Sequence, residues 1–480
     1  MILPPPGTYS YDISVSGKPV GATDVTISRN ATQTTIYERG TVEGQSIASV
    51  AVYSNDGLRL QTFDLSVGGA TVLRAVERSN AVDFNAGAMH FDTSASPRAF
   101  VDDGLAEALV LLPAAASQST TGISLVTTMY PRVVPLTVQR DASTLTLRGE
   151  GVTETLKYDA GSDVMQEFDG ARGMMMRLVR TTGAVQAAPS LAPLPATPEP
   201  FVSRFRSRQV TFVSKDGSRL AGTLSYPDGA GPFPAIMLIQ GSGVSDRDET
   251  VGPNRIFAEL ADGLNARGYA VLRYDKRGTG GSTSSVPISR VVRQNAVDDG
   301  VAAVGFLRTA ANIDAARLYA LGHSEGGEIV MGVALSGAPV RGVIMLAPLP
   351  MNYTAMLERQ IARTHVSGAV AAQLRAFEHQ PYIASFNAVD PVAEVRAVRV
   401  PMLLIHGSND MHVTGDDLRA FVAAATAAHP RSFTDVEIPG DTHLFARLDA
   451  DAAAAAIDES TRIELDPRLI DALDAWLRSH

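Results

Sequence analysis

The sequence predicts two architectures in series: an antiparallel all-β unit over residues 1–180, then an α/β unit with a mostly parallel sheet over residues 201–480. Three observations carry this. As far as Val179 the apolar runs are short and alternate with polar residues, the pattern of half-buried strands. From Pro234 onward, short apolar runs alternate with helix-length segments, the signal for parallel strands joined by helical crossovers. Between the two, residues 181–200 hold Pro189, Pro193, Pro195, Pro198 and Pro200 among alanines. That composition sustains neither ladder nor helix and reads as a semi-rigid linker.

Composition narrows the chemistry. A net charge of -10 at pH 7 makes nucleic acid and anionic membrane poor partners. The chain has no cysteine, which removes disulfides, thiolate nucleophiles and cysteine-ligated metals. No metal or cofactor is expected. No apolar run approaches the roughly 18 residues of a spanning helix. Met1-Ile-Leu-Pro-Pro-Pro6 lacks the basic start and apolar core of a signal peptide. The Ala/Pro linker leans toward an exported, periplasmic protein with its signal removed; the alternative is cytoplasmic.

In the first unit, strands are expected at Tyr9–Val15, Val25–Ile27, Thr34–Tyr37, Ser49–Tyr53, Leu58–Val67, Thr71–Glu77 and Val82–Phe84. Asn55-Asp56-Gly57 and Val67-Gly68-Gly69 supply hairpin turns. One helix is expected at Leu105–Leu112, capped by Asp102 or Asp103 and stopped before Pro113. Strands resume at Ser124–Met129, Leu136–Gln139, Thr144–Arg148, Thr153–Tyr158 and Met174–Val179, giving a curled sheet or a sandwich.

In the second unit, a hairpin pairs Gln209–Ser214 with Arg219–Tyr226. Strands then fall at Ala235–Gln240, Ala270–Tyr274, Leu318–Leu321, Gly342–Ala347, Met402–His406 and Ser432–Ile438. Helices fall at Ile256–Arg267, Val291–Thr309, Gly327–Leu335, Asp416–Ala428 and Pro467–Arg478. The insertion over about 349–400 is far longer than an ordinary connection and reads as a small helical lid. Tyr353, Met356 and Leu357, with Ile361, form one helical stripe, and Val370, Leu374 and Phe377 another. The first three are candidates for an acyl pocket, although such a stripe also serves plain packing.

The chemistry centres on Gly322-His-Ser324-Glu-Gly326, which follows a strand and opens a helix. Strand, sharp turn and helix around Gly-x-Ser-x-Gly form the nucleophile elbow of the α/β-hydrolase fold. The serine sits in a strained turn, so a Cβ at Gly322 or Gly326 would collide with neighbouring chain. A serine hydroxyl is a weak nucleophile and needs a base, which in turn needs an orienting carboxylate. Asp410 follows the strand Met402–His406, and His443 follows the strand Ser432–Ile438, in the chain order Ser, acid, His. All three fall at one edge of the sheet, where open α/β folds bind ligands.

The rivals are His412, close to Asp410 in sequence, and Asp441, two residues from His443. His323 is expected to point away, His406 to be packed, and Asp416 and Asp417 to cap a helix. An oxyanion hole needs two amides. Glu325 supplies one, directly after the serine, and Ser242 is chosen for the other, with Gly241 the alternative. Gly241 and Gly243 on either side let the backbone swing toward a substrate.

The loop Gly241-Ser-Gly-Val-Ser-Asp246-Arg-Asp-Glu249, with Leu272-Arg-Tyr-Asp275-Lys-Arg-Gly278 and the elbow, resembles a group of bacterial serine α/β-hydrolases. These are related to dienelactone hydrolases and to prolyl-oligopeptidase-type catalytic domains, and the characterised ones are mostly esterases. The resemblance covers residues 205–480 and implies the triad Ser324, Asp410 and His443. Asp246, Arg247 and Asp248 correspond to an acidic-basic loop in that group, best read as internal ion pairs holding the oxyanion loop. Asp275 and Arg277 read as scaffold for the same loop.

The expected activity is hydrolysis of small, short-acyl carboxylic esters through an acyl-enzyme. The alternatives are a prolyl-oligopeptidase-like peptidase, or a thioesterase or acyltransferase. A binding protein with a dead site is disfavoured by the complete triad.

Overall fold

The structure is a computed structural model describing residues 3–42, 45–67, 70–78, 81–84, 89–92, 98–102, 109–121, 123–127, 132–149, 152–170, 174–185, 201–243, 245–251, 254–364, 381–447 and 462–480. The chain divides into two compact units, Met1–Pro195 and Ala196–His480. Most of the expected linker, and the lid stripe of Val370, Leu374 and Phe377, lie outside the described residues.

The first unit is one meandering 15-stranded sheet in which Gly7–Val15 pairs antiparallel with both Lys18–Arg29 and Met174–Thr182. The sheet curls around a single core. The rings of Tyr53 and Phe100, from strands remote in the sheet order, come within 5.5 Å of each other across it. The unit is a large antiparallel all-β region, as expected, with one exception: Arg98–Asp102 and Ile123–Thr127 pair in parallel. A parallel pair needs a long crossover, and a helix is the usual way to build one. Of the expected helix Leu105–Leu112, residues 105–108 fall outside the described residues and 109–111 form a turn; the described helix here is Leu112–Gln118. Pro113 lies in its first turn, where a missing N–H costs nothing, so proline begins this helix instead of ending one.

The second unit is an eight-stranded sheet. Its strands are β1 (Ser207–Val213), β2 (Arg219–Ser225), β3 (Phe233–Ile239), β4 (Ala270–Tyr274), β5 (Ile313–His323), β6 (Gly342–Leu346), β7 (Met402–Gly407) and β8 (Phe433–Ile438). Their spatial order is β1-β2-β4-β3-β5-β6-β7-β8. The β1–β2 and β2–β4 pairs are antiparallel, and every later pair is parallel. The helices are α1 (Ile256–Ala266), α2 (Arg293–Thr309), α3 (Glu325–Leu335), α4 (Tyr353–Thr364), α5 (Pro381–Asn387), α6 (Pro391–Ala397), α7 (Gly415–Ala428) and α8 (Pro467–Ser479).

Alternation along β3 shows why the strand is apolar throughout. Ile236 and Leu238 pack into a core shared with α1 and α8, while Met237 and Ile239 pack into one shared with α2, α3 and α7. Both faces are therefore covered, and burial of two apolar faces holds the layers together. Trp476 of α8 seats edge-on against Tyr319 of β5, with centroids 6.1 Å apart. Among the described residues no helix is long and apolar enough to cross a membrane.

Candidate active site

Ser324 follows β5 directly and sits at φ 53°, a backbone region non-glycine residues rarely occupy. The turn is tight enough to dictate its neighbours. A Cβ at Gly322 would lie 2.0 Å from the Gly326 carbonyl oxygen, and one at Gly326 would lie 2.2 Å from that of Ile239. The Ser324 N–H donates to the Leu346 carbonyl at 2.8 Å, tying the elbow to β6. α3 begins at Glu325, so its first amides lie beside the serine.

Asp410, just past β7, is buried. Its Oδ2 lies 2.7 Å from Nδ1 of His443. Its Oδ1 accepts the backbone N–H groups of His412 at 2.7 Å and Val413 at 2.8 Å. Burial alone would raise this carboxyl's pKa. The His443 ring and these hydrogen bonds outweigh that and hold it below the usual carboxylate value.

Ser324 and His443 line a cavity of about 230 Å³, together with Gly241, Ser242, His412 and the apolar Leu349, Met356, Leu357 and Leu444. Tyr353 and Gln360 of α4 also face it, so this helix presents positions 353, 356, 357 and 360 at one-face spacing.

The other sequence candidates fall elsewhere. His412 packs its ring 4.9 Å from that of His443. Burial first, and His443 second, push its pKa down to about 4, so it is neutral at ordinary pH. Asp416 pairs with Arg419, and Asp417 caps α7 through Thr414 while binding Arg359 and Arg363. His406 is buried, with Nε2 3.7 Å from Asp435.

Asp246 turns its carboxylate inward onto the amides of Asp248 and Thr250. Arg247 forms a fork on Asp275, with Nη2–Oδ2 at 2.6 Å, and Asp248 binds Arg273 and Arg255. Arg277 binds Asp299 and Asp216. None of these groups lines the cavity.

His323 departs from expectation. Its ring does not point away but lines the cavity, with Nδ1 2.9 Å from Glu249 Oε1 and Nε2 3.0 Å from the His443 carbonyl oxygen. The carbonyl can only accept, and Glu249 Oε1 already accepts the Gly241 N–H at 2.6 Å. Both ring nitrogens therefore face acceptors. Burial opposes a charged ring, but the Glu249 carboxylate overcomes it and raises the His323 pKa. Glu249 and His323 thus tie the loop at 241 to the backbone of His443. The Gly241 N–H is spent on Glu249, whereas the Ser242 N–H has no acceptor among the described residues.

Asp441 makes no hydrogen bond or ion pair with His443, whose Nδ1 is taken by Asp410. Asp441 is fully buried, and its Oδ1 accepts from Arg468 at 3.1 Å. Burial, then the neighbouring Asp466, push its pKa up to about 7. A carboxyl whose folded pKa lies above its unfolded value stabilises the fold at low pH, and that contribution is lost as pH rises toward 7. Wild-type stability should therefore fall relative to Asp441→Asn between pH 5 and pH 8, shifting the melting-temperature difference by a few degrees. Thermal melts of both proteins across that range check this. A difference that stays flat would mean Asp441 is ionised throughout.

Known proteins resemble this unit. Residues 257–456 match the prolyl oligopeptidase family. The chain is 29% identical over 278 residues to Esterase EstD of Thermotoga maritima, spanning 54% of this chain and 65% of that protein. It is 28% identical over 255 residues to the uncharacterized protein Rv2307c of Mycobacterium tuberculosis, spanning 53% of this chain and 78% of that one. Among solved structures, the Pyrococcus furiosus esterase Pf2001 aligns with a TM-score of 0.42 and 14% identity, over 60% of this chain and 99% of that one. The sheet order, the elbow and the family match together place this unit in the serine α/β-hydrolase superfamily.

Proposed function

We propose that the protein is a serine carboxylesterase that hydrolyses small, short-acyl esters through an acyl-enzyme on Ser324. The observation that carries this is the 2.7 Å bond from His443 to the buried Asp410, in the wall of the cavity that holds Ser324. In this reading His443 takes the Ser324 proton as the hydroxyl oxygen attacks the ester carbonyl. Asp410 fixes the Nδ1–H tautomer and stabilises the imidazolium. The oxyanion forms against the N–H groups of Ser242 and Glu325. The carbon–oxygen bond to the alcohol then breaks, His443 returns the proton to that alcohol, and water, activated by the same ring, releases the acid.

Cavity size and lining support the substrate class. About 230 Å³ is below the range usual for drug-sized ligands, and among the described residues no lysine or arginine lines it, which favours a short, uncharged acyl group. The segment carrying α4 serves as a lid over that group, with Tyr353, Met356 and Leu357 forming the acyl wall. The family match raises the peptidase alternative. Such peptidases carry a propeller of repeated four-stranded blades, and the first unit is a single meandering sheet.

A panel of p-nitrophenyl esters from two to twelve carbons, with acyl thioesters and aminoacyl anilides alongside, tests this reading. The expected kcat/KM peaks at two to four carbons and drops at least about tenfold by twelve, a loss that a single unaccommodated methylene, at about 1–3 kcal/mol, already produces. Anilide turnover matching that of the acetate ester would favour the peptidase instead.

A further inference from the structure

We propose that Lys276 is a positioning residue for the oxyanion hole: its ammonium holds the loop at 241–243 so that the Ser242 N–H faces the serine. This rests on the acyl-transfer reading of the site and names what aligns it. Lys276 lies just past β4, with its side chain mostly buried. An ammonium has three N–H donors. Here they meet three acceptors: the Gly241 carbonyl, the Gly243 carbonyl at 3.2 Å and Glu325 Oε1 at 3.2 Å. The Tyr382 hydroxyl donates to the same Glu325 oxygen at 2.8 Å.

Peptide geometry turns these contacts into a function. In a trans peptide the C=O and the following N–H point in opposite directions. Anchoring the Gly241 oxygen on Lys276 therefore drives the Ser242 N–H to the other side of the loop. That N–H has no acceptor among the described residues, and Ser242 lines the cavity. The anchored loop also lies against the nucleophile, because a Cβ on Gly241 would sit 3.3 Å from that of Ser324. Glu249 fixes the preceding N–H of Gly241. With its neighbours held on both sides, the Ser242 amide is preorganised, which is what an oxyanion donor requires. Lys276 itself does not line the cavity, so it acts from behind the loop.

The same ammonium reaches the second donor. Glu325 carries its carboxylate at the mouth of α3, one residue from Ser324, and that carboxylate is buried. Left unpaired, its negative charge would oppose an oxyanion forming at the Glu325 amide. Lys276 and Tyr382 offset it. A plain structural ion pair with Glu325 would need neither loop carbonyl.

The test is Lys276→Met in the full chain, assayed on p-nitrophenyl acetate and, separately, for the rate at which a fluorophosphonate labels Ser324. The expected kcat falls about a hundredfold, the scale of losing one oxyanion donor. KM should stay within about threefold, because the loop contacts matter only once charge develops on the bound ester. Labelling should slow in the same proportion, since the phosphoryl oxygen uses the same hole. Lys276→Gln keeps a polar side chain where the methionine variant fails to fold, and should lose at least about tenfold in kcat by the same argument. Rates near wild type in a folded variant, or a loss carried by KM alone, overturn the proposal. A wild-type protein that labels at Ser324 but cleaves no ester would refute the ester reading, while the labelling ratio would still judge Lys276.

Discussion

Ser324→Ala is expected to lower kcat on p-nitrophenyl acetate on the order of 10^6-fold, the scale on which removal of a serine nucleophile is felt. The fold should survive. Alanine keeps the Cβ that already occupies the turn at φ 53°, and the anchor from the residue 324 amide to Leu346 involves only backbone. A fluorophosphonate should mark the wild type at this serine and leave the variant unmarked. Turnover within a thousandth of the wild-type rate in a clean preparation would mean that another group attacks the ester.

The second large effect belongs to Asp410→Asn, expected to cost on the order of 10^4 in kcat with little change in KM. The carboxylate accepts from His443 Nδ1 at 2.7 Å, so the ring keeps its other nitrogen free to take a proton. An asparagine that turned its NH2 toward Nδ1 would stabilise the opposite tautomer, with a hydrogen where the serine proton has to go. Asp441→Asn is the matched control, since that carboxylate bonds to Arg468 and makes no hydrogen bond or ion pair with His443. Steady-state kinetics on both variants decide the matter. A crippled Asp441→Asn beside a healthy Asp410→Asn would reverse the assignment.

Why some features were legible and others were not follows from how local their causes are. The elbow could be read because its glycines answer collisions within a few residues of the serine and against the adjoining strand. Asp410 and His443 could be placed on one edge because a parallel sheet brings the carboxyl ends of its strands together whatever the loop lengths. The orientation of His323 depends on Glu249, 74 residues earlier, and no local spacing announces that pair. The only sign is a histidine directly before the nucleophile, whose side chain the sequence reading turns away from the site. Pro113 misled for a simpler reason. Proline both ends helices and opens them, and only the parallel pairing of Arg98–Asp102 with Ile123–Thr127 calls for a crossover, usually helical, between those strands.

The way Asp410 is held opens a route to altered selectivity. Its Oδ1 rests on the main-chain amides of residues 412 and 413, groups that every amino acid except proline provides. The side chain at 412 meanwhile reaches the cavity wall. Position 412 is thus a place where chain variation reshapes the cavity, the proposed acyl site, while Asp410 keeps its anchor. A saturation library at this codon would sample new ester preferences, with proline the single member barred by the backbone.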